Sequence, residues 1–215
     1  LMEDECHSMQ GLVECMQELG REHPNAGYGG RFRGWLEAYE PLPYNSWGNG
    51  SGMRVSPVGF YAKTLDEALA LAAVSAAVTH NHPEGVKGAQ AIAASVFLCK
   101  EGLSKEQIRY YVERVFGYRL RRKIADIRPA YSFDVSCQGS VPEAIIAFLE
   151  GNDFEEVIRL AVSLGGDSDT IACMAGAIAA CKYSIPNEMA ERCDEILTND
   201  LRKIKDDFMR LLDGR

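Results

Sequence analysis

Two carboxylates and a hydroxyl fall within four residues in the segment Gly165-Gly166-Asp167-Ser168-Asp169-Thr170. The paired glycines permit a tight turn in backbone regions that other residues avoid. Three hard oxygen donors placed there suit Mg²⁺, which takes one or two carboxylates, keeps several waters and leaves positions open for a substrate. The same residues also suit a plain helix cap, with Asp or Ser accepting from first-turn N–H groups and Asp169 favoured by the helix dipole. From this hexapeptide alone both readings stand. A second candidate lies in the stretch 28–59, rich in Gly, Pro and aromatics. Gly48, Gly50 and Gly52 let backbone N–H groups turn toward an anion, Asn49 and Ser51 add polar contacts, and Trp47 offers a face for a base or sugar. A phosphate-bearing ligand and a passive surface loop both fit, and Arg54 is either a phosphate clamp or a tether. The third is Thr79-His80-Asn81-His82-Pro83-Glu84-Gly85. Here a histidine can bind metal, hydrogen-bond a ribose hydroxyl or meet the end of a helix dipole. His82, beside Pro83, is assigned a structural role. His80, presented by the end of the preceding helix, is the functional candidate.

These residues must be held by helices. Met9, Leu12, Val13, Met16 and Leu19 recur at three- and four-residue spacing, which predicts an amphipathic helix over 3–19 with Gly20 as its cap. Capping-box patterns at Thr64 to Glu67, Ser104 to Gln107 and Ser140 to Glu143 predict three further helix starts. Helices are also expected over 153–164, directly after the Asp cluster, and as one long amphipathic unit over 186–212. Only 131–137 alternates like a strand, and a lone strand makes no sheet. The expected class is all-α.

Composition limits the function classes. At 215 residues and 47% hydrophobic, the chain can bury a substantial core as a single domain. Lys and Arg total 23 against 31 Asp and Glu, and a formal charge of −8 disfavours a broad nucleic-acid or anionic-membrane surface. Seven cysteines without paired spacings, and four histidines away from any CxxC pair, point to reduced thiols rather than disulfides or zinc. With no apolar run long enough for a membrane span, a cytoplasmic protein is expected.

Taken together, the motifs resemble the ADP-ribosylglycohydrolases of the dinitrogenase-reductase-activating type. The matching segments are SWGNGSGMRVSP over 46–57, THNHPEGVKG over 79–88, CQGSVPEA over 137–144 and GGDSDT over 165–170, in the family's order and across nearly the whole chain. The resemblance implies a compact all-α single domain over 1–215. It implies hydrolysis of the glycosidic bond between ADP-ribose and a modified protein side chain or other acceptor, with a pair of Mg²⁺ ions between helices and Mn²⁺ as an acceptable substitute. Asp167, Asp169 and Thr170 match one half of that metal site, and Asp167 or Asp169 can also take a proton from water. Ser46, Trp47, Gly48, Asn49, Gly50 and Ser51 match the segment that holds ADP-ribose, and His80 matches a substrate contact. The family's acidic Thr-Asp-Asp-Thr-type motif, which precedes a helix near the start of the chain, has no counterpart here. Glu3, Asp4 and Glu5 lack its pattern, so the expectation is a chain that begins inside that helix, without the family's N-terminal segment. A catalytically inactive ADP-ribose-binding relative is the alternative reading. An unrelated DxD-type enzyme acting on nucleotide sugars is a third, which leaves the other three motifs to coincidence.

Overall fold

The described residues, 9–214, form thirteen α-helices and one 3-10 turn in this computed structural model. They are α1 (Met9–Glu22), α2 (Gly30–Glu37), α3 (Gly50–Met53), α4 (Ser56–Tyr61), α5 (Leu65–Ala77), α6 (Pro83–Lys100) and α7 (Lys105–Phe116). After these come α8 (Ile124–Ile127), the 3-10 turn Arg128–Ala130, α9 (Cys137–Glu150), α10 (Phe154–Ser163), α11 (Ser168–Ala179), α12 (Asn187–Ile196) and α13 (Asn199–Asp213). Among the described residues there is no β-sheet, as the all-α expectation required.

Helix α6 is the axis of the fold. Nearly every residue from Ala89 to Cys99 is buried, the mark of a helix enclosed on all sides rather than amphipathic. Its small residues Gly85, Gly88, Ala89, Ala91, Ala93 and Ala94 let α3, α4, α5, α7, α9 and α11 pack around it. Helix α5 meets it along a stripe at four-residue spacing, Ala68, Ala72 and Ala76, which puts three methyl groups on one face. Helix α4 approaches it closely: a Cβ on Gly59 would stand 2.6 Å from Val96 Cβ and 2.7 Å from the Ala93 carbonyl oxygen. A smaller cluster of Trp35, Leu36 and Val78 joins α1 and α2 to the end of α5. There the buried Gln17 amide donates to the Trp35 and Ala38 carbonyls at 2.9 and 3.0 Å, satisfying orphan acceptors at the end of α2.

The local signals held where side chains could act on their own turn. Thr64 caps α5 by accepting from Glu67 N, Ser104 and Gln107 form the full reciprocal box of α7, and Asp153 caps α10. Elsewhere the expectations need correction. Helix α1 runs past Gly20, which is not its cap but a buried contact point: a Cβ there would meet Leu36 Cδ2 at 2.5 Å. The part of that expected helix before Met9, with Glu3, Asp4 and Glu5, lies outside the described residues. The stretch 28–59 contains three helices, two of them six residues or shorter and one of eight. Helix α9 starts at Cys137 because Ser136, not Ser140, accepts from Gly139 N; Ser140 already lies in the first turn, donating to the Ser136 carbonyl at 2.6 Å. Pro142 is tolerated inside α9, where it removes only the donor to the Gln138 carbonyl. The alternation over 131–137 yields a single antiparallel bridge, Gly48 with Ser136, and leaves Phe133 and Val135 exposed. The long unit over 186–212 breaks at Leu197 and Thr198, whose extended backbone separates α12 from α13.

Because Gly59 sits against the backbone of α6, Gly59→Ala should lower stability by about 1–3 kcal/mol, read as a lower denaturation midpoint. Gly34, exposed in α2 with open space around it, should behave oppositely. Gly34→Ala is expected to stabilise by up to about 1 kcal/mol through helix propensity alone. Equal effects of the two substitutions would contradict the packing described.

Candidate functional site

The site is built where the chain between α2 and α3 crosses the start of α6 and the turn into α11. Residues 47–49 pair with 135–137: Asn49 N donates to the Val135 carbonyl at 2.8 Å, and Cys137 N donates to the Trp47 carbonyl at 2.9 Å. This crossing is possible because α6 begins with glycine. A Cβ on Gly85 would lie 2.6 Å from the Ser46 carbonyl oxygen, and one on Gly88 would lie 2.5 Å from Cys137 Sγ. Ser51, fully buried, donates to the Gly85 carbonyl at 2.8 Å and fastens the loop from the other side. Ser46 accepts from Gly48 N at 3.1 Å, which turns the chain toward the glycines. Trp47 remains half exposed, its ring edge-on to His82 with centroids 5.5 Å apart.

Asn49 and Asp167 connect the loop to the acidic cluster. Asn49 Nδ2 donates to Asp167 Oδ2 at 2.6 Å, across 118 residues of sequence. Each of these residues stands at the N-cap position of its helix, α3 and α11, and neither side chain caps it. The simple cap assignment therefore fails for Asp167, whose carboxylate is aimed at the loop instead. The turn before it is made by Gly165 and Gly166, both left-handed at φ +71° and +62°. Asp169 is exposed and accepts from Thr170 N at 2.9 Å, a first-turn interaction of the sort a helix start favours. Thr170 is buried, its hydroxyl donating to the Met53 thioether at 3.6 Å. Three hard oxygen donors thus share one helix start, a donor set that fits part of a Mg²⁺ coordination sphere. Neither Asp167 nor Asp169 belongs to a group of three or more close His, Cys, Asp or Glu ligand atoms among the described residues. The one such cluster found there, Glu22, His23 and Asp200, joins the end of α1 to the start of α13 and takes no part in this site.

His80 lies under the glycines. It is 6% exposed, its Nδ1 is 2.7 Å from Thr79 Oγ1, and its Nε2 stands 3.4 Å from where a Cβ on Gly48 or Gly50 would be. Burial, reinforced by the Arg54 guanidinium, pulls its pKa down to about 3, so the ring is neutral at physiological pH. Arg54 is a tether and not an exposed clamp: it donates to the Ser75 carbonyl at 2.5 Å and to Thr79 Oγ1 at 2.9 Å, both neutral oxygens. Burial lowers its pKa to about 10, which still leaves it charged. Burial likewise pushes Cys137 up to about 11, making it a packed thiol and not a nucleophile. His82 caps α6, accepting from Glu84 N at 3.1 Å, as its structural assignment anticipated. Cys99, Cys137, Cys173, Cys181 and Cys193 form no disulfide.

The sequence reading named the loop, His80 and the acidic turn but missed what holds them together. The i,i+3 pair Gly85 and Gly88 at the start of an otherwise apolar helix was the signal of a close crossing. Nothing local marked Asn49 and Asp167 as partners.

Comparison with known proteins identifies the class. The family model described as ADP-ribosylglycohydrolase matches residues 4–215, and the chain belongs to that family. It is 26% identical over 251 aligned positions to ADP-ribosylhydrolase ARH3 of Mus musculus, covering 86% of this chain and 68% of that protein. It is 28% identical over 170 positions to ADP-ribosylarginine hydrolase Tri1 of Pseudomonas putida (strain GB-1), covering 74% of this chain and 44% of that one. A solved structure titled ADP-ribosylglycohydrolase-related protein complex superimposes with a TM-score of 0.66 at 27% identity, covering 84% of this chain and 66% of its own. The chain therefore spans only part of the length of its relatives. No described helix is long and apolar enough to cross a membrane.

His80 supplies a pH prediction. Its native pKa of about 3 lies below an unfolded value of about 6.5, so its contribution is complete above pH 6.5 and is lost as pH falls toward 3. Arg54 and Tyr44 are the ionisable groups facing the ring. Relative to His80→Gln, the wild-type protein should lose stability more steeply across that window, by up to about 1.4 kcal/mol per pH unit. Parallel stability–pH curves would show that His80 titrates normally in the fold.

Proposed function

We propose that this chain hydrolyses the glycosidic bond between ADP-ribose and an acceptor, with Mg²⁺ held in part by Asp167, Asp169 and Thr170. The observation that carries the proposal is the Asn49–Asp167 hydrogen bond, because it places the glycine loop and the carboxylate turn in one site. Family membership and the activities for which ARH3 and Tri1 are named support the same reaction class.

The roles follow from the residue chemistry. The backbone N–H of Gly50, at the first turn of α3, and the Nε2 edge of His80 supply donors for the diphosphate and ribose oxygens of ADP-ribose, while Trp47 offers a flat apolar face at the rim. Arg54, which has no carboxylate partner in its hydrogen bonds, adds a positive charge beside His80. Asp167 is oriented by the Asn49 amide and is the candidate to accept a proton from the attacking water. When bound, Mg²⁺ supplies charge stabilisation to ribose oxygens as the anomeric bond breaks with oxocarbenium character. The alternative is an inactive relative that binds ADP-ribose without turnover.

One assay separates the two. Release of ADP-ribose from ADP-ribosylated arginine and serine peptides should require Mg²⁺, stop with EDTA, and fall at least about 100-fold in Asp169→Asn, the equivalent of about 3 kcal/mol of lost charge stabilisation. Circular dichroism of the variant should be unchanged, since Asp and Asn have nearly the same shape. ADP-ribose binding that ignores Mg²⁺, together with no release from either peptide, would overturn the hydrolase and establish the binding protein.

A further inference from the structure

Thr79 lies between a guanidinium and an imidazole, and its surroundings leave its hydroxyl one hydrogen-bonding arrangement. Arg54 Nη2 approaches Thr79 Oγ1 at 2.9 Å, and a guanidinium can only donate. The threonine oxygen therefore accepts from Arg54, and its own proton needs an acceptor. Thr79 is fully buried, so water is not one, and among the described residues the other hydrogen-bonding atom at Oγ1 is His80 Nδ1, at 2.7 Å. A proton on Nδ1 would leave the Thr79 hydroxyl proton buried without a partner, an arrangement that costs about 1–3 kcal/mol. The Arg54 end of the chain is itself fixed, because the same Nη2 donates to the Ser75 carbonyl at 2.5 Å within α5.

We propose that Arg54 and Thr79 are positioning residues that hold His80 with Nδ1 as acceptor and its single proton on Nε2, aimed as a hydrogen-bond donor at an oxygen of ADP-ribose. This deepens the function proposed above and rests on it for the identity of the ligand. The relay itself rests on the hydrogen bonds alone. The Nε2 edge is the one turned to the loop, 3.4 Å from the Cβ position of both Gly48 and Gly50, and any side chain at either glycine would cover it. The role of the two glycines is then access as well as backbone freedom. His80 in this form binds and orients but carries no proton to or from the reaction, since accepting one at Nδ1 would displace the Thr79 hydroxyl from its only acceptor. The depressed pKa of the ring, caused first by burial and then by Arg54, agrees with that state.

The test is a long-range ¹H–¹⁵N spectrum of the imidazole rings in the free protein, with His80 assigned by its disappearance in His80→Gln. The expected spectrum shows Nδ1 as the unprotonated type and Nε2 as the protonated type, unchanged from pH 8 to pH 5. In Thr79→Val the single tautomer should give way to a mixture, and calorimetric affinity for ADP-ribose should fall about tenfold. Thr79→Ser, which keeps the hydroxyl, should restore both. A proton on Nδ1, a doubly protonated ring at pH 6, or a Val variant with the wild-type tautomer would overturn the relay. The wild-type spectrum decides the tautomer whether or not the Val variant folds. The expected tautomer in a wild-type protein that does not bind ADP-ribose would overturn the ligand, and with it the proposed function, independently of the relay.

Discussion

A neutral amide and a carboxylate 2.6 Å apart define what this site can be. Asn and Asp are among the best helix-capping residues, and a sequence that only needed to start α3 and α11 would have used both for that purpose. Here each gives up its own helix to bond the other. The partner is also telling. An arginine or lysine opposite Asp167 would neutralise it and stabilise the fold by charge, but would compete with any cation or proton brought to the carboxylate. An asparagine fixes the orientation and leaves the charge in place.

That contact depends on how closely helices and loop can approach α6. Two of its glycines face backbone or sulfur at distances no Cβ could accept, so the loop 46–51 and the start of α9 rest directly on the helix. Methyl stripes on α5 and the crossing of α4 at Gly59 continue the same principle on the other faces. Close-packed interiors transmit small displacements rather than absorb them. The small residues of α6 therefore set the position of the loop and of His80 beside it, and through Asn49 the register of the acidic turn.

What was legible in the sequence was whatever is decided within one helical turn. Thr64 and Ser104 were readable as caps because a hydroxyl finds a donor three residues on, whatever lies elsewhere. The same pattern at Ser140 misled, since Ser136 offered an equivalent cap four residues earlier and the pairing of 135–137 with the loop favoured the earlier start. The break between α12 and α13 was written in Thr198-Asn199-Asp200, a start signal hidden inside an unbroken apolar period. The four motifs pointed, through resemblance, to the family that the family model identifies. The chemistry of the site was not legible in the same way. A buried arginine with neutral partners, a histidine whose proton is placed by a threonine, and an amide bonded to an aspartate far along the chain are facts of three-dimensional contact.

These contacts divide the site electrically. At the loop end the donors are neutral and Arg54 stands beside His80, and this in a chain whose formal charge is −8. At the turn into α11, Asp167 and Asp169 carry negative charge, one of them exposed. A diphosphate brought to this surface is attracted at the first end and repelled at the second, and partial burial of these groups makes that difference larger than it would be in water. On the proposed reading, the polarity alone orients ADP-ribose: diphosphate toward Gly48, Gly50 and His80, and the ribose that bears the acceptor toward the carboxylates. Asn49 stands on the boundary between the two halves. It separates an anion-binding region from an anionic one without adding charge to either.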